Sequence, residues 1–223
     1  MTANIASKIK QIKQQIPSNV KLIAITKQVN IKRMQLAYQA GVRDFGENRL
    51  QEALLKQKQL EDLVDINWHF IGHIQKNKAK KVIENFDWIH SVDSLALAKR
   101  LNRLSQELNK TPNVLLQIKI LPDPNKYGWS VTELWQVLDE LNSYRHLNIQ
   151  GLMTILPYGL SEPETSSAFQ ETKKLATAIR QKNYSNLNLE QLSMGMSNDY
   201  QLAIKAGSTM IRPGRIIFGE RNK

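Results

Sequence analysis

The sequence of 223 residues contains no cysteine, and its first 43 positions contain no Asp or Glu. The lack of cysteine excludes a disulfide framework, a thiolate metal site and a cysteine nucleophile. No apolar run approaches the roughly 18 residues that a membrane-spanning helix needs. The N-terminus has no secretory apolar core, and it carries lysines where transit peptides favour Arg and Ser. We therefore expect a cytoplasmic chain that is neither exported nor embedded in a membrane.

Positive charge is what the sequence has in excess. Lys and Arg number 31 against 20 Asp and Glu, a formal net charge of +11, so anionic partners are plausible. A dense basic run, Lys76, Lys78, Lys80 and Lys81, lies at the start of a predicted helix. Such a run is more often a solvated helix face than a nucleic-acid patch, and no aromatic residue interleaves with it to stack on bases. We therefore do not expect nucleic acid as the main partner.

Eight short β-rich runs alternate with segments of helical period. They cover residues 21–26, 44–45, 67–72, 88–92, 113–120, 148–155, 191–195 and 209–212. Strand followed by helix throughout indicates a parallel sheet. Eight such units in this length favour a (β/α)8 barrel over a doubly wound open sheet, which usually needs only five or six strands. We predict an α/β protein with a single TIM-type barrel domain over residues 1–223.

The helix boundaries are also marked in the sequence. Ile5, Ile9, Ile12 and Ile16 recur at spacings of four, three and four residues, which predicts an extra N-terminal helix with one apolar face. Ser-x-x-Glu capping boxes predict helix starts at positions 130 and 161. Gly207 suits a helix end.

The reactive groups of such barrels cluster at the carboxyl ends of the strands. Lys27 follows the first strand, where desolvation and neighbouring cations can depress a lysine pKa by up to roughly three to five units. A neutral amine of this kind condenses with an aldehyde, although on position alone a strand-ending surface lysine is the more common case. The ends of strands seven and eight, 194–197 and 212–215, offer glycines and a helix start that suit a phosphate. A lysine facing a phosphate cradle would hold pyridoxal 5'-phosphate (PLP).

Metal and triad chemistry fit the sequence less well. His69 and His73 lie on one predicted strand, where a spacing of four separates side chains by roughly 13 Å, so they cannot share a zinc ion. His69 is expected to be a core histidine. The sequence has no Gly-x-Ser-x-Gly elbow, and Walker and dinucleotide glycine patterns are also missing.

Six sequence blocks together carry a family resemblance. They are 24–27 (AITK), 45–48 (FGEN), 68–78 (WHFIGHIQKNK), 90–93 (HSVD), 192–197 (LSMGMS) and 218–219 (FG). In this order, over nearly the whole chain, they resemble the pyridoxal phosphate homeostasis protein family. The resemblance implies a barrel similar to the N-terminal domain of alanine racemase, with the cofactor held as a Schiff base on Lys27.

The resemblance also implies a set of cofactor-binding residues around Lys27. They are Asn48, His73, Ser197, Arg212, Gly214 and Arg215. The Ser197 side chain and the backbone at positions 214 and 215 would take the phosphate. Arg212 would lie near the pyridine nitrogen or the phosphate, and the side chains at positions 48 and 73 would line the ring pocket.

The sequence departs from the family pattern at two places. The second lysine and the proline that often follow the Schiff-base lysine are replaced by Val29 and Asn30. In the last motif, Pro213 and Arg215 replace an aliphatic residue and a hydroxyl. Arg215 would either bind phosphate through its guanidinium group or leave its backbone to serve. Lys126 is a candidate secondary acceptor of the cofactor.

The implied function is that of a carrier or regulator of the cofactor pool. The family lacks the racemase domain that supplies an opposing base, and this chain ends soon after strand eight. An arginine partner also opposes protonation of the pyridine nitrogen. We expect a monomeric, non-catalytic PLP-binding protein of vitamin B6 homeostasis that affects amino-acid and keto-acid metabolism and could supply apo-enzymes. The alternatives are a PLP-dependent racemase or lyase and, third, a basic nucleic-acid adaptor.

Overall fold

Eight parallel strands close into a barrel in the computed structural model, which describes residues 2–220. The strands are β1 (Lys21–Ile25), β2 (Asp44–Glu47), β3 (Asn67–Phe70), β4 (Trp88–Val92), β5 (Asn113–Ile118), β6 (Asn148–Thr154), β7 (Leu187–Ser193) and β8 (Met210–Ile211). Their spatial order is their order in the chain, and β8 pairs with β1 to close the ring. The predicted (β/α)8 barrel is confirmed.

The described range contains nine α-helices, of which α2 to α8 connect successive strands. The helices are α1 (Thr2–Gln15), α2 (Ile31–Gln39), α3 (Leu50–Gln59), α4 (Ala79–Asn85), α5 (Leu95–Glu107), α6 (Val131–Asn142), α7 (Glu162–Arg180), α8 (Tyr200–Lys205) and α9 (Arg215–Phe218). A 3-10 turn at Lys76–Lys78 leads into α4, at the basic run. None of the helices in residues 2–220 is long and apolar enough to cross a membrane.

The extra helix α1 is present where the isoleucine pattern predicted it. Ile5, Ile9 and Ile12 are buried, and Ile16 is partly buried against the same apolar cluster. The helix packs against α2 and α9, beside the place where the barrel closes. It ends at Gln15, before Pro17, whose ring restricts the residue that precedes it.

Both predicted capping boxes are formed, at the starts of α6 and α7. Ser130 and Ser161 each accept a hydrogen bond from the backbone of the glutamate three residues later, and that glutamate side chain accepts one in return. Each cap stabilises its helix by about 1 kcal/mol. Gly207 follows α8 with a φ of +99°, as expected of a glycine just past a helix end.

Strand bounds were predicted less well than strand number, and β4 alone kept its predicted range. Strands β1, β3, β5 and β6 end one or two residues earlier than predicted, β2 ends two residues later, and β8 is shorter at both ends. Strand β7 begins four residues earlier, at Leu187, and ends two earlier. Its burial alternates from Leu187 onward, a period-2 signal that the sequence analysis missed. After β3 the Gly72 backbone passes so close to β2 that a Cβ there would clash with the Asn48 carbonyl oxygen.

The barrel interior combines apolar and polar layers. Ile23, Ile25, Leu115, Met153 and Met210, from β1, β5, β6 and β8, form an apolar cluster separate from those under the helices. Such layers of inward side chains make a packed core, so the site sits at the mouth. The expectation of one domain over 1–223 stays a prediction, because it includes positions outside the described residues.

Candidate functional site

Lys27 lies at the carboxyl-terminal mouth of the barrel, in the loop from β1 to α2. Its side chain is partly buried. Together with Arg33, Gly214 and Arg215, it lines a pocket of about 230 Å³. The structure therefore brings the predicted lysine and the loop after β8 to one pocket.

Backbone amides of the β8–α9 loop converge on the hydroxyl of Ser197. Ser197 Oγ accepts hydrogen bonds from the Gly214 amide at 3.1 Å and from the Ile216 amide at 3.3 Å. A Cβ at Gly214 would lie 3.2 Å from the Ile25 carbonyl oxygen, a tight contact that shows how closely the loop packs on β1. Two N–H donors aimed at one oxygen suit an anion, whose oxygens accept such bonds.

The residues that depart from the family pattern have clear structural roles in this loop. Pro213 lacks an amide donor, but its carbonyl accepts the Ile25 amide at 2.9 Å and so ties the loop to β1. The Arg215 side chain is about half exposed and lies 3.7 Å from the Glu220 carboxylate. It therefore stands at the pocket rim with its backbone at the start of α9.

The turn between β7 and α8 aims Ser197 at that loop. Gly195 has a φ of +89°, and a Cβ there would lie 2.6 Å from the Ala203 Cβ. Asp199 then accepts the Met196 amide at 2.6 Å, which fixes the residue next to Ser197. One glycine and one local side-chain bond thus shape this turn, together with backbone bonds from the Asp199 and Tyr200 amides to the Met196 carbonyl.

Arg212 is buried at the end of β8. Its guanidinium donates to Ser193 Oγ and to the Thr154 carbonyl, each at 2.7 Å. Burial lowers the pKa of Arg212 to about 10, while Asp199 acts in the opposite direction. The group therefore stays a cation at neutral pH, held inside the barrel end.

A relay of hydrogen bonds links Arg212 to the other half of the barrel. Ser193 Oγ lies 2.9 Å from His90 Nδ1, and His90 Nε2 lies 2.9 Å from His69 Nδ1. His69 Nε2 lies 2.9 Å from Asp44 Oδ1. Because an arginine only donates and a carboxylate only accepts, donation runs from Arg212 to Asp44 through two neutral histidines.

Burial lowers the pKa of both histidines in this relay, and for His90 it lowers the pKa well below the usual histidine value. His69 is thus the core histidine that was expected.

Asn48 and His73 lie at the ends of neighbouring strands. Within residues 2–220, Asn48 Oδ1 is buried and has no hydrogen-bond partner. His73 is exposed, contacts Asp93 Oδ2 at 2.8 Å through Nδ1, and stacks on Tyr127 with ring centroids 3.6 Å apart. The sequence analysis did not single out either partner of His73.

Lys126 joins two loops at the mouth. Its ammonium donates to Asp123 Oδ2 at 2.8 Å and to the Leu156 carbonyl at 2.7 Å. The first bond is within the β5–α6 loop, and the second reaches the β6–α7 loop. These contacts give Lys126 a structural role. Its function as a secondary acceptor of the cofactor stays a prediction.

The sequence analysis missed an ionic cluster next to the backbone of Lys27, in which Glu47 and Lys56 are buried and Glu52 is partly exposed. Glu47, Glu52 and Lys56 form it, with Lys56 donating to both carboxylates at 2.7 and 2.6 Å. Burial raises the pKa of Glu47, although Lys56 opposes this, whereas hydrogen bonds from Lys56 and the Gln28 amide outweigh burial and lower the pKa of Glu52. The i,i+4 spacing of Glu52 and Lys56 was the available signal.

Comparison with known proteins agrees with this architecture. A family model described as alanine racemase, N-terminal domain, matches residues 2–222. The pyridoxal phosphate homeostasis protein of Synechocystis sp. is 56% identical over 206 residues, 92% of this chain and 94% of that protein. The structure of PipY from Synechococcus elongatus with PLP bound is 45% identical, with a TM-score of 0.93, and covers 96% of this chain and 100% of that one. An alanine racemase of Clostridium difficile shares the fold at 16% identity and a TM-score of 0.81, over 99% of this chain and 58% of its own.

Proposed function

The chain belongs to the family of pyridoxal phosphate homeostasis proteins, and from this we propose that it binds PLP and acts as a carrier or regulator of the cofactor pool. The observation that carries the proposal is the pocket that Lys27 shares with Gly214 and Arg215. A solved relative, PipY, is described with PLP bound. The function is thereby one of vitamin B6 homeostasis, with effects on amino-acid and keto-acid metabolism.

Several groups at the barrel mouth fit this cofactor, although Ser197 and Asn48 do not themselves line the pocket that contains Lys27. The amides of Gly214 and Ile216 already meet at an oxygen, Ser197 Oγ, and phosphate oxygens accept such donors. The buried Asn48 Oδ1, without a partner within residues 2–220, is an acceptor that a ligand group can satisfy. The donor set and this acceptor therefore suit a small anion with a polar ring.

Lys27 is the residue that we propose to hold the cofactor covalently. PLP supplies an aldehyde, which a lysine amine attacks to form a carbon–nitrogen double bond with loss of water. Lys27 would contribute the nitrogen, and Ser197 with the backbone at 214 and 215 would orient the phosphate. His73, stacked on Tyr127, would border the ring side of the mouth.

Little or no catalysis is expected from these residues. We propose that Arg212 faces the pyridine nitrogen or the phosphate, and its pKa of about 10 keeps it positive at neutral pH. A cation beside the ring nitrogen disfavours protonation there, which weakens electron withdrawal. The close relatives are named as homeostasis proteins, which agrees with a binding role.

The remaining parts of the proposal concern location and partners. We propose a cytoplasmic monomer that exchanges PLP with apo-enzymes; the lack of cysteine in the full sequence suits a reducing compartment. Size-exclusion chromatography tests the oligomeric state. Transfer of PLP to an apo-aminotransferase, measured by recovery of its activity, tests the delivery.

The central experiment is borohydride reduction of the protein mixed with PLP, followed by peptide mapping. We expect a yellow complex and a label on Lys27, lost in Lys27→Ala. Lys126→Ala is the matched control, because it removes another lysine at the same mouth and should retain the label. A label mainly on another lysine would overturn the site.

The same preparation tests the absence of catalysis. We expect amino acids to change the absorbance without forming racemised or cleaved product. Steady product formation dependent on Lys27 would replace the carrier function with a racemase or lyase.

A further inference from the structure

We propose that Glu52 and Lys56 are positioning residues that fix the backbone on both sides of Lys27 and so set how fast its amine captures an aldehyde ligand. The proposal rests on the proposed function, because Lys27 is the capturing group. It goes beyond that function by assigning a role to the ionic cluster of Glu47, Glu52 and Lys56.

The residue before Lys27 is held through its hydroxyl, its carbonyl and its amide. Thr26 is fully buried, and its hydroxyl donates to Glu47 Oε1 at 2.6 Å. Its carbonyl accepts the Lys56 ammonium at 2.6 Å, and its amide donates to the Gly46 carbonyl at 3.0 Å. Every polar group of Thr26 therefore has a hydrogen-bond partner.

The residue after Lys27 is held in a strained conformation. Gln28 has a φ of +60°, a left-handed conformation that is costly for a residue with a side chain. Its amide donates to Glu52 Oε1 at 2.5 Å. A backbone bond from the Val29 amide to the Thr26 carbonyl, at 2.8 Å, closes this turn. Gln28 is itself exposed, so the bond to the ionised Glu52 carboxylate is the side-chain contact that helps to hold the strained conformation.

Lys56 joins the two sides. Its ammonium has three hydrogens and three acceptors, namely the Thr26 carbonyl, Glu47 Oε1 and Glu52 Oε1, at 2.6 to 2.7 Å. The side chain is only 8% exposed. Burying an ammonium is expensive unless its hydrogen bonds are complete, and here they are completed by groups that flank Lys27.

This arrangement limits the directions that the Lys27 side chain can take. With the carbonyl of Thr26 and the amide of Gln28 both fixed, the Cα–Cβ bond of Lys27 has one orientation toward the pocket. Such preorganisation lowers the entropic cost of bringing a nucleophile to its target.

The test compares Glu52→Ala with Glu52→Gln, since Gln retains an oxygen that can accept the Gln28 amide. We measure the rate of absorbance change on mixing with PLP, and the visible circular dichroism of the bound cofactor. Glu52→Ala should slow capture about tenfold, the effect of losing one hydrogen bond to a charged group. Glu52→Gln should stay within about twofold. Glu171→Ala, which breaks an exposed Glu–Lys pair on α7, should leave both readouts unchanged.

A double variant isolates the strained turn. Gln28→Gly removes the left-handed strain, so Glu52→Ala should have a smaller effect in that background than alone. Equal effects in both backgrounds would overturn the link between Glu52 and the turn. Lys56→Met should slow capture, whereas Lys58→Met, at an exposed lysine of the same helix, should not. Equal capture rates in these two variants would overturn the role of Lys56.

Hydrogen exchange of the protein without cofactor separates this proposal from the proposed function. The Gln28 amide should exchange faster in Glu52→Ala than in the wild type and in Glu171→Ala. If wild type captures PLP on another lysine, the proposed function fails, while faster exchange still supports the positioning of the turn. Unchanged exchange and unchanged capture in Glu52→Ala would overturn the positioning role.

Discussion

At the residue scale, the proposed phosphate cradle, formed by Ser197 and the backbone amides of Gly214 and Ile216, depends on one hydroxyl. Ser197 Oγ is the shared acceptor of the Gly214 and Ile216 amides. A serine can rotate its hydroxyl to donate to a phosphate while the amides turn to the phosphate oxygens. The side chain thus arranges the loop and, in the site that we propose, offers a further donor to the ligand.

The first prediction concerns this hydroxyl. Ser197→Ala should weaken PLP binding about tenfold, because a hydrogen bond to a charged group is lost. Binding of pyridoxal, which has no phosphate, should change less than about twofold. Equilibrium titration by absorbance measures both, and an equal loss for the two ligands would contradict a phosphate role for Ser197.

Residue types at the strand ends were readable from the sequence, but their partners were not. Lys27, Ser197 and Gly214 could be singled out because strand-end position ranks them. The hydrogen bonds of Arg212 to Ser193 and Thr154 depend on which inward-facing side chains lie at the same level of the barrel. That arrangement is known only from the closed barrel, because these residues are far apart in the sequence. Gln28 gave no signal, because nothing in its residue type indicates a left-handed φ.

At the element scale, the turn from β7 to α8 depends on Gly195. It combines a φ of +89° with a helix packed against its Cα hydrogens. A side chain there would meet both backbone strain and a clash with α8. The glycine is therefore needed for the fold of the turn as well as for the direction of Ser197.

The second prediction separates those two effects. Gly195→Ala should lower the free energy of unfolding by about 2 kcal/mol or more, since strain and overpacking add. Gly159→Ala is the matched control, because Gly159 has a φ of +87° but a Cβ there meets no atom within 4 Å. That variant should cost about 1 kcal/mol. Urea unfolding measures both, and equal losses would contradict the clash.

Element number and type could be predicted because periodicity and capping are local. The two capping boxes and the isoleucine face of α1 identified helices from side-chain spacing alone. The start of β7 was marked by the alternation from Leu187, which was missed. The end of β7 could not be placed from local spacing, because it depends on pairing with β6 and β8, and the β6–β7 register shifts between Ile149 and Gly151.

At the scale of the whole molecule, the relay from Arg212 to Asp44 crosses the barrel interior. It places two neutral histidines, His69 and His90, in the core. Burial lowers the pKa of each, so the folded state resists their protonation while the unfolded chain does not.

The third prediction is a loss of stability in mild acid. Below pH about 6.5, the ordinary histidine value, the unfolded state binds more protons than the folded state, so stability falls as the pH falls. Each histidine contributes up to about 1.4 kcal/mol per pH unit. Glu47, whose pKa is raised by burial, acts in the opposite sense, since its contribution to stability falls as pH rises above 4.5.

A variant isolates the histidine contribution. His90→Gln should reduce the slope of unfolding free energy against pH between pH 5 and 6.5 by up to about 1.4 kcal/mol per unit. Urea unfolding at each pH gives the slope. His146→Gln, at a histidine outside the relay, is the matched control. The same slope in His90→Gln as in the wild type would contradict the relay as the source.

The barrel closes through its shortest strand, and this has a consequence for synthesis. Lys27 follows the first strand, whereas the loop that carries Gly214 follows β8, which pairs with β1 through only two residues. A chain still attached to the ribosome therefore displays the amine long before the cradle exists. The selectivity for a phosphate-bearing aldehyde that we propose for this site therefore begins only with the finished ring of strands.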